Sequence, residues 1–246
     1  TAQCVVEMAR AYHCRFILLG RSRLLDAEPA WASSAHTADE LKRACAADFS
    51  ARGEKPTPAG VTKAVNAVLS HREIHETLDA IRDAGGQAAY AAADITNRDA
   101  VRAAIQSVTQ FGAVTGIVHG AGNLADKLIE KKTPDDFEWV YAAKIHGLEN
   151  LLAVCPPATL QTLVLFSSVA GFFGNVGQAD YAIANEILNK TAHQLKAQYP
   201  ALRVISINWG PWDGGMVTPQ LRAYFNELGV QVIPPHVGTQ MLIDEL

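Results

Sequence analysis

The length, composition and charge of this chain exclude several classes of protein. With 246 residues, of which 49% are hydrophobic and 19% charged, it is long and apolar enough for a folded α/β domain and unlike a disordered chain. A formal net charge of -4 and the lack of a basic cluster argue against nucleic-acid binding, and no apolar run reaches the ~18 residues of a membrane span. No signal peptide is recognisable and the four cysteines form no CxxC pair, so we expect a cytoplasmic protein with reduced thiols.

Apolar patterns of the strand and helix types alternate along the chain. The segments that predict buried parallel strands are 15–20, 87–94, 114–122, 160–168 and 203–210. The segments that predict helices are 2–10, 71–86, 99–111, 134–153 and 179–198. This alternation predicts a doubly wound parallel α/β sheet, whose ligands bind beyond the carboxyl ends of the strands. The residues predicted at those ends are Gly20, His119, Ser168 and Gly210.

Two features depart from the regular alternation. The chain opens inside a predicted helix, with no strand and no glycine-rich turn before it. The connection that follows the first visible strand is too long for an ordinary loop. It contains a helical pattern, the proline-marked stretch EKPTP and a further helical pattern from about Pro58, so we predict a helical insertion over about 23–70.

The stretch FSSVAGFFGNVGQADYAIAN, residues 166–185, carries polar groups that a packed core does not require. Ser168 falls at a strand end, and Tyr181 and Asn185 are four residues apart, on one face of the next helix. A serine can hold a ketone oxygen while a tyrosine supplies the proton, but a phenol with a pKa near 10 needs a nearby cation. Lys144 is the best candidate for that cation, and Asn185 would orient it or a water. A strand-end serine beside a core tyrosine remains the open alternative.

These residues resemble the active-site motif of the short-chain dehydrogenase/reductases, and more narrowly that of ketoreductase domains of polyketide and polyunsaturated fatty acid synthases. Most short-chain dehydrogenases place lysine four residues after the tyrosine, whereas the synthase ketoreductases carry asparagine there and lysine on the earlier helix. This chain has that exchange, with Lys-to-Ser and Ser-to-Tyr spacings of 24 and 13 residues. The resemblance implies a Rossmann-like fold of the short-chain dehydrogenase type. The catalytic residues that it implies are Ser168, Tyr181, Lys144 and Asn185.

The resemblance also implies an NADPH site along the strand ends. Arg21, in LLGRS, can pair with the 2′-phosphate of NADP, where an acidic residue would favour NAD. Taken alone, Arg21 could equally be a solvated charge. The other residues implied in cofactor binding are Gly20, Ser22, Asp94, Ile95, His119, Gly120, Ala121, Gly122, Pro211 and Trp212. Among these, the glycines of the HGAG turn would let the backbone approach the cofactor closely.

The glycine-rich dinucleotide loop of this family, which cradles a pyrophosphate at a helix N-terminus, would lie just before Thr1 together with the first strand. We therefore expect residues 1–246 to be the ketoreductase domain of a larger multidomain synthase. As written, the chain is expected to bind NADPH poorly and to lack the central strand of its sheet.

Stereocontrol is a further implication of the resemblance. Ketoreductases that give 3R alcohols carry Leu-Asp-Asp after the HGAG-like turn, and this chain keeps Leu124 and Asp126 in NLADKL. The opposite class carries a tryptophan where Phe173 stands here, so a 3R product (B-type) is favoured over 3S. For Asp126 an exposed loop charge is the alternative. The stretch from Met216 onward is expected to be a mobile substrate lid.

The leading hypothesis is NADPH-dependent reduction of a β-ketoacyl thioester tethered to an acyl carrier protein, with neighbouring synthase domains as further partners. A free-standing short-chain dehydrogenase for a small alcohol or carbonyl compound is one alternative, against which the Tyr-x-x-x-Asn exchange argues. A catalytically silent scaffold domain of a synthase is another, against which the intact quartet argues. No metal site is expected, since HREIHE has Arg72 where the HExxH pattern needs glutamate.

Overall fold

The computed structural model describes residues 1–214, 217–227 and 229–246. The strands of the described chain are β1 (Arg15–Gly20), β2 (Gln87–Ala92), β3 (Gly116–His119), β4 (Thr162–Ser168) and β5 (Arg203–Trp209). The α-helices of the described chain are α1 (Ala2–Tyr12), α2 (Ala38–Ala51), α3 (Pro58–Asp83), α4 (Arg98–Gln106), α5 (Pro134–Tyr141), α6 (Gly147–Val154), α7 (Val169–Phe173), α8 (Ala179–Gln198), α9 (Pro219–Glu227) and α10 (Pro235–Glu245). No helix among these residues is both long and apolar enough to span a lipid bilayer.

Most predicted elements are present, with differences at their ends. β1 and α8 have the predicted bounds and β3 ends at His119 as predicted, whereas β2 ends two residues earlier than predicted. The predicted helix over 134–153 is interrupted by a π-helical turn, Ala142–His146, that joins α5 to α6. The helix predicted from about Pro58 and the helix predicted over 71–86 are one helix, because α3 runs without interruption for 26 residues. Neither proline nor glycine occurs between Gly60 and the end of that helix, so nothing in the backbone stops it.

The strands form two parallel groups. β1 pairs with β2, and β4 lies between β3 and β5. In the described part of the chain no strand joins β1 to β3. A cleft of about 960 Å³ lies there, lined by residues 15–19 of β1 and by residues 114–121 around β3. This cleft separates the two groups of strands.

Helices cover both faces of the three-stranded group. Leu163 and Leu165 of β4 point into a cluster formed with α4, α6 and α8, and Val164 points to the opposite face. On that face Val164 packs with Cys4 of α1 and Leu242 of α10. Because successive side chains of a strand alternate between faces, the continuous apolar run of β4 fits a strand that is buried on both sides. These cores hold the carboxyl ends of β3, β4 and β5 in place.

The insertion is a helical unit attached to β1. α2 packs against the first half of α3 through a separate apolar cluster that includes Leu41, Cys45, Val65 and Val68. Arg72 of α3 fastens the loop before α2, since its guanidinium binds both carboxylate oxygens of Glu28 at 2.6 and 2.8 Å. It also donates to the carbonyls of Ala32 and Ala35. The arginine that argued against a metal site therefore has a structural role.

Candidate active site

Ser168 and Tyr181 are brought together by the turn between β4 and α8. Ser168 ends β4, and its Oγ accepts a hydrogen bond from the Ala170 N–H at 3.2 Å, which caps α7. α7 then crosses α8 closely, because a Cβ added at Gly171 would lie 3.0 Å from the Cβ of Asn185. Gly174 ends α7 with a φ of 73°, a left-handed conformation that favours glycine. This route leaves the Ser168 hydroxyl close enough to the Tyr181 phenol to act on the pKa of that phenol.

The environment of Tyr181 keeps its phenol protonated. Burial raises the pKa of Tyr181, and hydrogen bonding with the side chains of Ser168 and Asn185 acts in the opposite direction. The nearby carboxylate of Asp126 adds to the rise. A phenol whose pKa lies above its ordinary value of about 10 retains its proton near neutrality and can donate it.

Lys144 lies in the π-helical turn and is buried, with 4% of its surface exposed. Its Nζ donates to the carbonyl of Phe166 at 2.9 Å and lies 5.5 Å from the centroid of the Tyr181 ring. Burial lowers the pKa of Lys144 to about 8. The sequence analysis expected Lys144 to lower the pKa of Tyr181, but in this arrangement burial of the phenol outweighs any such effect and the net shift is upward.

His119 supports the turn that carries Lys144. Its side chain is 1% exposed, and Nε2 lies 2.8 Å from the main-chain carbonyl of Lys144, so Nε2 carries the proton. Burial lowers the pKa of His119 to about 4, which keeps the ring neutral. The sequence analysis expected His119 to line the cofactor site, but its side chain is directed into the protein, against the Lys144 turn.

Asn185 is fully buried one helical turn after Tyr181. Its Nδ2 donates to the Tyr181 carbonyl at 2.8 Å, and its Oδ1 has no hydrogen-bond partner among the described residues. An unpaired buried acceptor is costly, so Asn185 Oδ1 is available to a further hydrogen-bond donor. Ser167, which the sequence analysis missed, donates from Oγ to the Asn185 carbonyl at 3.0 Å and so fixes α8 to β4.

Arg21 lies at the carboxyl end of β1 with an exposed side chain. Its contacts are neutral: Nη2 lies 3.4 Å from Oδ1 of Asn123, and the guanidinium stacks 4.9 Å from the Trp139 ring centroid. Among the described residues it forms no ion pair within 4 Å, so its charge can bind a phosphate. The Oδ1 atom of Asp94 accepts two hydrogen bonds from Thr96, one from its backbone N–H and one from its hydroxyl. These bonds lower the pKa of Asp94.

Similarity to known proteins identifies the family of this arrangement. A family model described as KR domain matches residues 3–214, which is most of the chain. The chain belongs to the KR domain family. This confirms the predicted membership of the synthase ketoreductases within the short-chain dehydrogenase/reductase superfamily. The family consists of oxidoreductases that use a nicotinamide cofactor.

The curated relatives of this KR domain are much longer proteins. One of the subunits of a polyunsaturated fatty acid synthase from Thraustochytrium sp. is 47% identical over 249 residues, covering 97% of this chain and 9% of the relative. Polyketide synthase GfsA of Streptomyces halstedii is 36% identical over 143 residues, covering 57% of this chain and 2% of the relative. The chain thus spans less than a tenth of the length of these relatives.

Solved ketoreductase structures share the fold of this KR domain. An N-terminal ketoreductase from the macrolactin assembly line gives a TM-score of 0.70 at 24% identity, covering 99% of this chain and 39% of that one. The ketoreductase from the first module of phoslactomycin biosynthesis in a Streptomyces species gives a TM-score of 0.69 at 26% identity, covering 98% and 46%. The predicted Rossmann-like fold of the short-chain dehydrogenase type is therefore confirmed.

The glycines of the KR domain that were expected to approach a cofactor have protein neighbours. A Cβ at Gly20 would lie 2.7 Å from the hydroxyl of Tyr90, which donates to the Ser22 carbonyl at 2.6 Å. A Cβ at Gly122 would lie 3.2 Å from Cε of Lys144. Gly120 and Ala121 line the cleft beside β3, and a Cβ at Gly120 would lie 2.6 Å from Oγ1 of Thr1.

The remaining predicted cofactor residues of the KR domain are held by the core. Ile95 packs against the main apolar cluster and lies close to Gly147. Pro211 accepts from the N–H of Ile233 at 2.7 Å, and the Trp212 ring packs edge-on against Trp209 with 4.9 Å between centroids. Met216, expected to contact substrate, lies outside the described residues.

Two segments of the KR domain meet in front of Tyr181. In the stereocontrol segment, Asp126 Oδ2 accepts from Nε2 of Gln178 at 3.0 Å, and the N–H of Lys127 donates to the Gly177 carbonyl at 3.0 Å. Leu124 and Phe173 are exposed, the latter by 80%. Gln178 is a further residue that the sequence analysis missed, although its position three residues before Tyr181 placed it beside the site.

Proposed function

We propose that this KR domain reduces a β-ketoacyl thioester to the β-hydroxyacyl thioester with NADPH, giving the 3R alcohol. The observation that carries the proposal is the placement of the buried Lys144 ammonium 5.5 Å from the Tyr181 ring centroid, with Ser168 close enough to act on the pKa of the phenol. Family membership supports ketoreduction in polyketide or fatty acid synthesis, and the proposal adds the cofactor, the tethered substrate and the configuration.

The chain's own residues handle the proton at the ketone oxygen. NADPH, when bound, supplies the hydride to the β-carbon. Ser168 Oγ holds the ketone oxygen, and Tyr181, protonated because its pKa is raised, donates its proton to that oxygen. The phenolate that results is stabilised by Lys144, which is charged below its pKa of about 8. Asn185 Oδ1 accepts from the Lys144 ammonium or from a water that restores the proton.

Arg21 is the residue proposed to select NADPH over NADH. Among the described residues its exposed guanidinium forms no ion pair within 4 Å, although Asp94 is near enough for Arg21 to lower the pKa of that carboxyl, so a 2′-phosphate would be its direct anionic partner. The backbone of Gly120 to Gly122 would lie along the rest of the cofactor. A further strand in the cleft between β1 and β3 would complete the sheet beside these residues.

The substrate would be an acyl chain carried by an acyl carrier protein. Exposed apolar side chains occur on both segments that meet in front of Tyr181, and they suit an acyl chain better than a small polar alcohol. These side chains are Leu124, Leu128, Ile129, Phe172, Phe173 and Val176. The much longer synthase relatives support residues 1–246 as one domain of a multidomain synthase, with 23–70 as its helical insertion and neighbouring domains as partners.

The test follows NADPH oxidation by the full-length protein with a β-ketoacyl thioester on acyl carrier protein. The same substrate with NADH, and the same acyl group on a small thiol, separate cofactor choice from carrier recognition. We expect faster turnover with NADPH and with the carrier-bound substrate, and a 3R product by chiral analysis. A 3S product would contradict the stereochemical assignment alone. NADPH binding without oxidation would contradict the substrate, and neither binding nor oxidation would favour a silent scaffold.

A further inference from the structure

A buried ion pair lies beside the catalytic quartet without belonging to it. Lys132 Nζ and Asp180 Oδ2 are 2.7 Å apart, and their side chains are only 8% and 1% exposed. Removing two charges from water costs several kcal/mol, and their attraction offsets that cost only when further hydrogen bonds satisfy both groups. Stabilisation of the fold is therefore a weak explanation for so deeply buried a pair, and its other contacts point to a different role.

The further hydrogen bonds of this pair reach two functional segments. Lys132 Nζ also donates to the Ala125 carbonyl at 2.7 Å, in the segment that carries Leu124 and Asp126. Asp180 Oδ1 accepts from the backbone N–H of Tyr181 at 2.8 Å. That N–H lies in the first turn of α8, where the helix supplies no carbonyl partner of its own. An unbroken series of short bonds thus runs from the backbone of Ala125 to the backbone of the catalytic tyrosine.

The segment held by Lys132 forms one wall of the approach to the phenol. Asp126 is close enough to Tyr181 for its charge to act on the pKa of the phenol. The outer contacts between the two segments, from Gln178 to Asp126 and from Lys127 to Gly177, involve exposed residues. Exposed hydrogen bonds exchange with water readily, so the buried pair is the rigid part of this connection.

We propose that Lys132 and Asp180 are positioning residues that fix residues 124–126 against Tyr181 and thereby set which face of the ketone meets the cofactor. This inference rests on the proposed reduction. The pair touches neither the reacting atoms nor the cofactor site, and it acts through the Ala125 carbonyl and the Tyr181 N–H. Loosening it would let the wall and the phenol shift independently. Since a misplacement of about 1 Å can cost ~100-fold in rate, both rate and selectivity would respond.

The variants are made in the full-length protein. Lys132→Met and Asp180→Asn each leave one buried charge unpaired, while the double variant removes both charges and so avoids the largest folding penalty. Lys190→Met is the matched control, because Lys190 pairs with Glu186 on the same helix at 3.0 Å but is 75% exposed. It removes an ion pair of α8 that has no contact with residues 124–126.

Hydrogen exchange tests the connection without any substrate. In the Lys132→Met and double variants we expect faster exchange over residues 177–181 as well as over 124–133, and in Lys190→Met we expect neither. Exchange over 177–181 that stays at the wild-type rate in the double variant would overturn the inference. This readout decides the point even if the wild-type protein oxidises no NADPH, a result that would contradict only the proposed function.

Product configuration tests the consequence. We expect kcat/KM of the double variant to fall about tenfold or more, with a larger share of the minor enantiomer than in wild type or Lys190→Met. A purely structural role would lower the amount of active protein and leave the enantiomer ratio unchanged. Faster exchange with an unchanged ratio would therefore overturn the inference that this pair sets the reacting face.

Discussion

The half of the sheet formed by β3, β4 and β5 differs from the half formed by β1 and β2 in how completely its site is built. Around the first half, Ser168, Tyr181, Lys144 and Asn185 are oriented by buried contacts. At the second half, Arg21 is exposed with neutral neighbours, and a cleft of about 960 Å³ separates its strand from β3. The residues proposed for proton transfer are therefore oriented by buried contacts, whereas Arg21, proposed to bind the nucleotide, is exposed.

Under the proposed function, proton transfer and cofactor binding therefore depend on different parts of the molecule. The catalytic half is rigid because apolar clusters pack on both of its faces. In the nucleotide half, α1 and α3 pack on one face of β1, and on the other face Leu19 is only partly buried against the main cluster. Substitutions in the two halves should therefore separate turnover from cofactor affinity, and the following predictions use that separation.

The largest of these effects is expected from Lys144→Met in the catalytic half. Removing the buried cation takes away the stabilisation of the phenolate, so we expect reduction to fall by ~100-fold or more with NADPH affinity unchanged. In wild type, kcat should decline as the pH rises through about 8, because Lys144 then loses its charge. The pH profile of kcat measures this, and a wild-type kcat that is flat from about pH 7 to about pH 9.5 would contradict the role of Lys144.

The same substitution should stabilise the protein. The folded-state pKa of Lys144 lies below its ordinary value, so folding disfavours the charged form. This cost in stability is fully present below about pH 8. It fades as the pH rises toward the pKa that Lys144 has in the unfolded chain. Lys144→Met removes this cost but also loses the hydrogen bond to the Phe166 carbonyl. We therefore expect the free energy of unfolding to rise by a net amount on the order of 1–2 kcal/mol near neutrality. Thermal unfolding of both proteins at about pH 7 and about pH 9.5 shows whether Lys144→Met raises or lowers stability. If Lys144→Met were less stable than wild type at both pH values, the buried charge would not destabilise the folded protein.

A smaller effect is expected in the nucleotide half. Arg21→Ala should weaken NADPH binding about 10- to 100-fold and leave NADH binding nearly unchanged, because only NADPH carries the 2′-phosphate. Titration of both cofactors by fluorescence measures the ratio. Arg23→Ala is a control for general loss of positive charge at this exposed strand end. An equal loss for both cofactors would contradict phosphate recognition by Arg21.

The smallest effect is expected from Ser167→Ala. The Oγ of Ser167 forms one hydrogen bond within the described residues, to the Asn185 carbonyl. The change therefore removes one buried bond between β4 and α8. A neutral hydrogen bond contributes about 1 kcal/mol, which corresponds to a fall in kcat of roughly fivefold. Steady-state kinetics with saturating NADPH measures it. A loss as large as that of Lys144→Met would mean that Ser167, and not Ser168, holds the ketone oxygen.

The sequence predicted the parallel strands for physical reasons that are local, whereas the proposed catalytic quartet was implied by the family resemblance. β1 and β4 are uninterrupted apolar runs, and α8 begins after Gly177 and ends before Pro200, so both ends are marked in the sequence. Tyr181 and Asn185 share a face because of helix geometry alone. No such marker separates the helix predicted from about Pro58 from the one predicted over 71–86, and the two form the single helix α3.

The contacts that orient the quartet were not predictable in the same way. Lys144 binds the Phe166 carbonyl, 22 residues away, and Lys132 binds Asp180, 48 residues away. Such pairs depend on how helices pack over the sheet and leave no periodic signal in the sequence. The side chain of His119 shows the same limit, since its place at a strand end indicated the crevice, but packing directed it toward the Lys144 carbonyl.

The measurement that tests the central claim most directly is single-turnover reduction by Tyr181→Phe in the full-length protein. Tyr12→Phe serves as the matched control, because the Tyr12 hydroxyl is exposed and donates to the Ile243 carbonyl. We predict that Tyr181→Phe binds NADPH as tightly as wild type and reduces the β-ketoacyl thioester about 1,000-fold more slowly, while Tyr12→Phe is unchanged. A Tyr181→Phe rate within about threefold of wild type would show that the proton comes from another group and would contradict the account.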